Sequence, residues 1–392
     1  MVAGSHLHSL DEAISRLIDS TSRLPGEGVP LSSACYRVLA TEIRATRPIP
    51  VADRAALDGF AVAASATVGA SPYNPLLLPL HAISAGEPIP PGADAVIPLN
   101  LGQPQPPDAM ECVEAVASGE NVEGQGSVAA PGAMLAPAGT WLSPPDIAML
   151  IGAGLVSVEV IRRPVVRIVV APGSTTTADS NGPMTRALVA RDGGVIADTV
   201  TVERTRQGIH SALGARGLDI MLVVGGTGPG NDDHAGAALT EAGGLAIHGI
   251  AMEPGETCGF GRTRSGALVV LLPGSPPACL FSYEMLAGRA VRRLGGRDPA
   301  LPYGSRLMRL ARKIVSAIGM TEICPVRYAS GDLVEPLPSF GETGLMAAAA
   351  ADGFVVVPEA SEGYPQGAAV TVYLYRSQSA YMSAGASAVR ER

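Results

Sequence analysis

The sequence predicts a multidomain α/β protein built on a parallel sheet, with a proline-rich β region before it and a C-terminal β region after it. Three observations carry this. From 165 to about 296, continuously apolar runs of strand length alternate with amphipathic helical stretches, the pattern of a parallel sheet covered on both faces. From about 45 to 143, prolines crowd among short apolar runs such as AVIP and FAV, which suits a small β domain with long turns. From 304 to 378, short strands alternate with turns. A chain of 392 residues has room for roughly two to four domains.

Taken in order, residues 9–24 put Leu10, Ala13, Ile14, Leu17 and Ile18 on one helical face, and Ser9 with Glu12 forms a capping box. A second helix is predicted over 31–41, LSSACYRVLAT, ending before the extended RPIP segment. QPQPPD at 103–108 is a surface loop, and 144–155 a short helix closed by glycine. Arg162, Arg163 and Pro164 read as a linker. Then come a strand (VVRIVVA), a helix (GPMTRALVARDGG), a strand (VIADTVTV) and a helix (TRQGIHSALGARG). Ile220 to Val224 form the next strand, and an Ala-rich helix runs to Thr240. LAIHGIAM and ALVVLL are further strands, and PPACLFSYEMLAGRAVRRLGG is one long helix. Its Arg289, Arg292 and Arg293 read as a solvated face. RLMRLARKIV, FVVVPE and AAVTVYLY supply the C-terminal strands.

Composition narrows the function. Hydrophobic content of 47% against 16% charged residues fits a well-buried globular protein, and a net charge of −8 without a basic cluster argues against nucleic-acid binding. The five cysteines are scattered with no CxxC pair, which predicts free thiols and a cytoplasmic location. The start MVAGSHLHSLDEA is no signal peptide, and no apolar run approaches the ~20 residues a membrane span needs.

In a parallel sheet, ligands bind beyond the carboxyl ends of the strands. Three loops meet that condition: APGSTTT at 171–177, GGTGPGNDD at 225–233 and PGSPP at 273–277. Gly225, Gly226, Gly228 and Gly230 allow close approach of backbone to a ligand, and exposed N–H groups favour anions. Asn231, Asp232 and Asp233 serve equally well as helix N-caps on this pattern. GGTGPG is neither a dinucleotide fingerprint nor a P-loop. Ser275 reads as a turn residue, since no GxSxG elbow or paired His accompanies it.

Several motifs in fixed order carry a resemblance. IPVADRAALDGFAV at 49–62, AGEPIPPGADAVIP at 85–98, GENV at 119–122, PAGTWL at 137–142, the GG…G…D of 225–233 and LPGSP at 272–276 resemble the molybdopterin molybdenumtransferase family, bacterial MoeA and the E domain of gephyrin. The resemblance covers about residues 9–378. It implies four domains: an elongated region from 7–44 plus 144–163, a β domain over 45–143, an α/β domain over 164–300, and a C-terminal β domain over 301–380. It also implies a homodimer that inserts molybdate into adenylated molybdopterin with Mg²⁺ and releases AMP. An adenylyltransferase or molybdoenzyme is the implied protein partner. On this resemblance Asp58 and Asp233 bind metal or position molybdate. Gly225, Gly226, Gly228, Gly230, Pro273, Gly274, Ser275 and Ser174 hold the anionic pterin.

The sequence also departs from the family. R-x-x-G-E-D after GENV has become VEGQGSVA at 122–129, S-T-G-D-E-L has become APGSTTT, and the threonine of T-G-A-P is Ala85. K-P-G-K-P has become EPGET, placing Glu253 and Glu256 where two lysines are expected. At an effective dielectric of ~20, each unit pair ~4 Å apart is worth roughly 4 kcal/mol, so this change bears directly on phosphate. Glu322 matches an acidic family position, but Cys324 and Pro325 break the family pattern just after it. A catalytically degenerate paralogue that binds a pterin, another small ligand or a protein is therefore the alternative function.

Overall fold

A computed structural model describes residues 7–173, 179–338 and 341–375. It divides into two compact units, one of residues 26–160 and one of the chain up to Pro25 and from Ile161 onward.

The second of these holds the α/β sheet. Its elements are α1 (Leu10–Asp19), β1 (Val165–Val170), α2 (Asn181–Arg191), β2 (Val195–Thr201), α3 (Arg206–Leu213), β3 (Ile220–Val224), α4 (Ala235–Ala242), β4 (Gly243–His248), β5 (Gly259–Thr263), β6 (Leu268–Leu272) and α5 (Pro276–Ser282). The strand order is β2-β1-β3-β6-β5-β4. The first four strands are parallel, as their apolar runs predict; β3 is buried at every position. β5 and β4 add an antiparallel edge, which corrects the wholly parallel expectation. GFGRT lacks an apolar run and is not legible as a strand; glycine is needed there because a Cβ on Gly261 would lie 2.1 Å from the Gly244 carbonyl oxygen. On one face, residues such as Leu222 and Val270 pack with Leu10, Ala13 and Leu17 of α1. The Ser9 hydroxyl accepts from the Glu12 N–H at 3.1 Å, one half of the predicted capping box; the Glu12 carboxylate turns instead to His8 and Arg16.

The long C-terminal helix is not uniform. α5 passes through a π-turn at Tyr283–Ala287 into α6 (Gly288–Leu294). Glu284 in the π-turn is fully buried and accepts from Arg191 Nη1 at 2.7 Å, Arg191 Nη2 at 3.0 Å and the Tyr303 hydroxyl at 2.7 Å. Asp192, also buried, receives the Tyr283 hydroxyl at 3.1 Å and pairs with Arg292 at 2.9 Å and with Arg191 at 2.9 Å. Arg292 is 1% exposed and Arg289 is half-buried, so only Arg293 fits the predicted solvated face. An isolated buried guanidinium would be costly; the carboxylates make its burial possible. Arg162, expected in a linker, forks onto Asp219 with two contacts of 2.8 Å and thereby fixes the entry to β1.

The C-terminal strands Gly304–Leu310, Thr321–Ser330, Leu333–Pro336, Gly353–Val357 and Ala369–Leu374 close into a ring, because Thr321–Ser330 pairs with both Leu333–Pro336 and Gly353–Val357. An unforeseen helix, Gly341–Ala350, interrupts the β pattern; its GLMAAAA run is good helix former. Met252–Glu253 joins this ring in parallel, with Glu253 opposite Glu322.

The other unit contains many short strands, as its prolines predict. Gly59–Val62 lies between Ala82–Ile83 and Ala95–Pro98, and Leu76–Pro79, Ala109–Cys112 and Gly102–Gln105 form a second small sheet. The helix Pro144–Gly152 is capped by Ser143 and Asp146. The helix expected over 31–41 is instead one 3₁₀ turn, Leu31–Ser33. Tyr36 sits at φ 61°, which no helix accommodates, and Val38 and Leu39 bridge to Trp141 and Val160. Their apolar spacing fits helix and β-bridge alike. Among the described residues all five cysteines are free, and no helix is long and apolar enough to cross a membrane.

Candidate functional site

Strand register sets the site. Val170 of β1 is level with Val224 of β3, which is level with Leu272 of β6. The chain therefore leaves three adjacent strands at one height. The Ala171 N–H donates to the Val224 carbonyl and the Gly225 N–H to the Leu272 carbonyl, each at 2.9 Å. The loops beyond enclose a cavity of about 500 Å³, of the size that small-molecule sites commonly have.

The described parts of the three loops singled out from the sequence, residues 171–173, 225–233 and 273–277, meet there. Gly225, Gly226, Gly228, Asp233, Pro273, Gly274 and Ser275 all line the cavity; Gly230 does not line it, and Ser174 falls outside the described residues. Gly225 has φ 92°, and a Cβ on it would lie 2.4 Å from the Ala171 carbonyl oxygen. Only glycine fits that turn. Gly228 and Gly230 have another reason: a Cβ on either would press on Asp233 Oδ2, at 2.6 and 2.9 Å.

Asp233 caps no helix, since His234 occupies the N-cap of α4. Its Oδ2 accepts from the Gly230 N–H at 3.0 Å, and its Oδ1 pairs with Arg204 Nη2. Burial alone would raise its pKa; the Arg204 hydrogen bond and charge and the N–H groups of Gly230 and Gly228 outweigh that and hold the carboxyl below the usual range. Arg204, on the loop after β2, also donates from Nε to the Asp232 carbonyl at 3.1 Å. Sequence reasoning passed over it because VERT has no glycine signal. Yet it follows the same rule as the other loops, standing three residues beyond the carboxyl end of a parallel strand.

Further polar groups complete the lining. Asn181 Nδ2 donates to the Gly274 carbonyl at 2.8 Å, and its Oδ1 is buried with no partner among the described residues. It is a ready acceptor for a ligand N–H or O–H. Thr227 and Thr257 join hydroxyls at 3.0 Å, and His248 Nε2 lies 2.9 Å from the Thr227 carbonyl, so the glycine loop is braced from two sides. Asp179 Oδ1 accepts the Asn181 and Gly182 N–H groups, each at 3.0 Å.

The resemblance implies magnesium here. Of the cavity's described carboxylates, Asp233 is engaged through both oxygens by Arg204 and the Gly230 N–H, and Asp179 accepts through Oδ1 alone. No group of three or more His, Cys, Asp or Glu side chains suited to a metal occurs among the described residues. Asp233 thus has no uncommitted oxygen to give a divalent ion, which is bound by carboxylate oxygens.

Glu253 and Glu256 lie on the segment that leads into Thr257, and Glu322 stands opposite Glu253 on the neighbouring strand. Burial raises the Glu253 carboxyl and the Glu256 charge adds to it. Burial likewise raises that of Glu322, with Ser316 opposing and Glu253 adding. Asp58 belongs to the other compact unit. It is exposed, and its Oδ1 accepts the Ala85 N–H at 2.8 Å, bracing the turn before Gly59.

Three family models match in succession: the MoeA N-terminal region (domain I and II) over residues 8–154, a probable molybdopterin binding domain over 154–293, and the MoeA C-terminal region (domain IV) over 308–375. A putative molybdopterin biosynthesis protein of Methanocaldococcus jannaschii is 27% identical, covering 93% of this chain and 96% of that protein. A molybdopterin molybdenumtransferase of Bacillus subtilis is 25% identical, covering 94% of each. A crystal structure of a molybdopterin biosynthesis MoeA protein from Pyrococcus horikoshii aligns with a TM-score of 0.71 at 25% identity, over 94% of this chain and 100% of that one.

Proposed function

Because the chain belongs to the MoeA family, we propose that it acts in molybdenum cofactor biosynthesis, inserting molybdate into adenylated molybdopterin with release of AMP. The observation that carries this is the run of MoeA regional matches spanning the chain, with the cavity inside the middle one. The loops at 225–228 and 273–276 would receive the pterin phosphate, and Asn181 Oδ1 would accept a hydrogen bond from the pterin or its linker. Asp58, whose second carboxylate oxygen has no hydrogen bond among the described residues, would position molybdate. Magnesium would enter on the substrate's phosphates; no part of this reading depends on a resident ion. The same reading includes a homodimer in the cytoplasm, a division into four domains, and contact with a molybdopterin adenylyltransferase or a molybdoenzyme.

The test is incubation of the protein with adenylated molybdopterin, molybdate and Mg²⁺, with AMP measured over time. Release that depends on molybdate supports the transferase. Glu253 and Glu256, standing where the family pattern has two lysines, favour a second reading, a scaffold that binds a pterin, another small ligand or a protein without turnover. Tight binding of molybdopterin with no AMP release selects it.

A further inference from the structure

We infer that Arg204 is the anion anchor of the cavity, and that Asp233 and the Asp232 carbonyl hold its guanidinium in position. This deepens the reading of the cavity as a pterin phosphate site and rests on it for the ligand's identity.

Arg204 is the one positively charged side chain lining the cavity among the described residues. Its formal neighbours there are two carboxylates, Asp179 and Asp233, so the lining carries one excess negative charge with Arg204 and two without it. An anion entering a cavity that lacked Arg204 would meet two carboxylates and no positively charged side chain among the described residues.

The guanidinium is neither free nor used up. Nε–H donates to the Asp232 carbonyl at 3.1 Å and Nη2 pairs with Asp233 Oδ1. Nη1 has no hydrogen-bond partner among the described residues. It lies beside Gly173 in the cavity wall, where a Cβ would come within 3.3 Å of it. A guanidinium has five donors in a rigid fork, so the two anchored nitrogens fix the direction of the third. Fixing a long side chain in advance removes part of the ordering cost of binding.

The plainer reading makes Arg204 a strut that ties down the glycine loop. Asp233 already closes that loop through the Gly230 N–H at 3.0 Å without Arg204. A strut also gives no reason for Gly173 to leave Nη1 uncovered.

The experiment measures affinity for pyrophosphate, the anion adenylated molybdopterin carries, and for molybdopterin by calorimetry, in the wild type, Arg204→Gln, Arg204→Lys and Asp233→Asn. Loss of a charge-assisted contact predicts roughly 10- to 100-fold weaker binding of both by Arg204→Gln. Arg204→Lys restores part of it, because charge returns without the fork. Asp233→Asn weakens binding less than Arg204→Gln and leaves a stronger dependence on salt, as a loosened cation would. Wild-type binding of pyrophosphate but not molybdopterin, with pyrophosphate lost in Arg204→Gln, upholds the anchor and refutes the pterin reading. Unchanged affinities in Arg204→Gln, with a wild-type circular dichroism spectrum and melt, overturn the anchor alone. Wild-type protein that binds neither probe overturns both.

Discussion

Glu284→Gln is the most demanding test of how the α/β unit is held together. The substitution keeps shape and removes one charge from a buried group of two arginines, Arg191 and Arg292, and two carboxylates, Asp192 and Glu284. As it stands the group is neutral. Glu284 is fully buried and accepts three hydrogen bonds, two from Arg191 at 2.7 and 3.0 Å and one from Tyr303 at 2.7 Å. The glutamine retains one acceptor oxygen and turns a donor toward Arg191, leaving an uncompensated positive charge. Removing one partner of a buried pair costs about 3–5 kcal/mol, and that is the expected loss. Restoring neutrality should recover part of it, so Arg191→Gln with Glu284→Gln should be less destabilised than the sum of the single changes by at least about 1 kcal/mol. Urea unfolding monitored by circular dichroism reads both quantities. A single-mutant loss below about 1 kcal/mol, or strict additivity, would refute the view that these charges compensate one another.

The same geometry makes three other outcomes measurable. The carboxyls of Glu253 and Glu322 are raised by burial, so the folded state holds protons that the unfolded chain releases; their stabilising effect is complete below the ordinary carboxylate range and is lost as pH rises through the raised folded values. Glu253→Gln and Glu322→Gln should therefore raise the melting temperature at pH 7.5 and change it little at pH 4, and equal effects at the two pH values would contradict this. The Cys258 and Cys279 thiols, pushed up to about 12 by burial, should resist a maleimide that labels the half-buried Cys35 in native protein; equal labelling rates would count against the packing. Gly225→Ala should cost about 1–3 kcal/mol, since φ 92° and a contact of 2.4 Å with the Ala171 oxygen both oppose a Cβ, and it should weaken pyrophosphate binding; a wild-type melt would show that the loop relaxes freely.

The strands of the sheet were legible because burial on both faces demands unbroken apolar runs, and β1, β3 and β6 have them. The cavity was legible for the same reason: once the strands are placed, their carboxyl ends are placed. GFGRT at 259–263 was not, because a strand made possible by missing side chains leaves no apolar signature. The 31–41 segment misled because its apolar spacing fits helix and β-bridge alike, and only the backbone at Tyr36 separates them. Asp233 was found through its motif, but its engagement with Arg204 lies between residues 29 apart, beyond any local pattern. Arg292 was misread for a related reason. A basic residue on a helix looks solvated unless its carboxylate partner, 100 residues away in Asp192, is known.

The two-residue strand Met252–Glu253 places a limit on movement. It is hydrogen-bonded into the C-terminal ring opposite Thr321 and Glu322, while Thr257, four residues on, forms part of the cavity wall and grips Thr227. An extended chain covers at most about 3.6 Å per residue, so this leash is no longer than about 14 Å. The C-terminal ring cannot swing further than that from the cavity unless the Met252–Glu253 ladder unzips. Any force applied to the ring from outside is thus delivered, through a few residues of backbone, to the wall against which a ligand would rest.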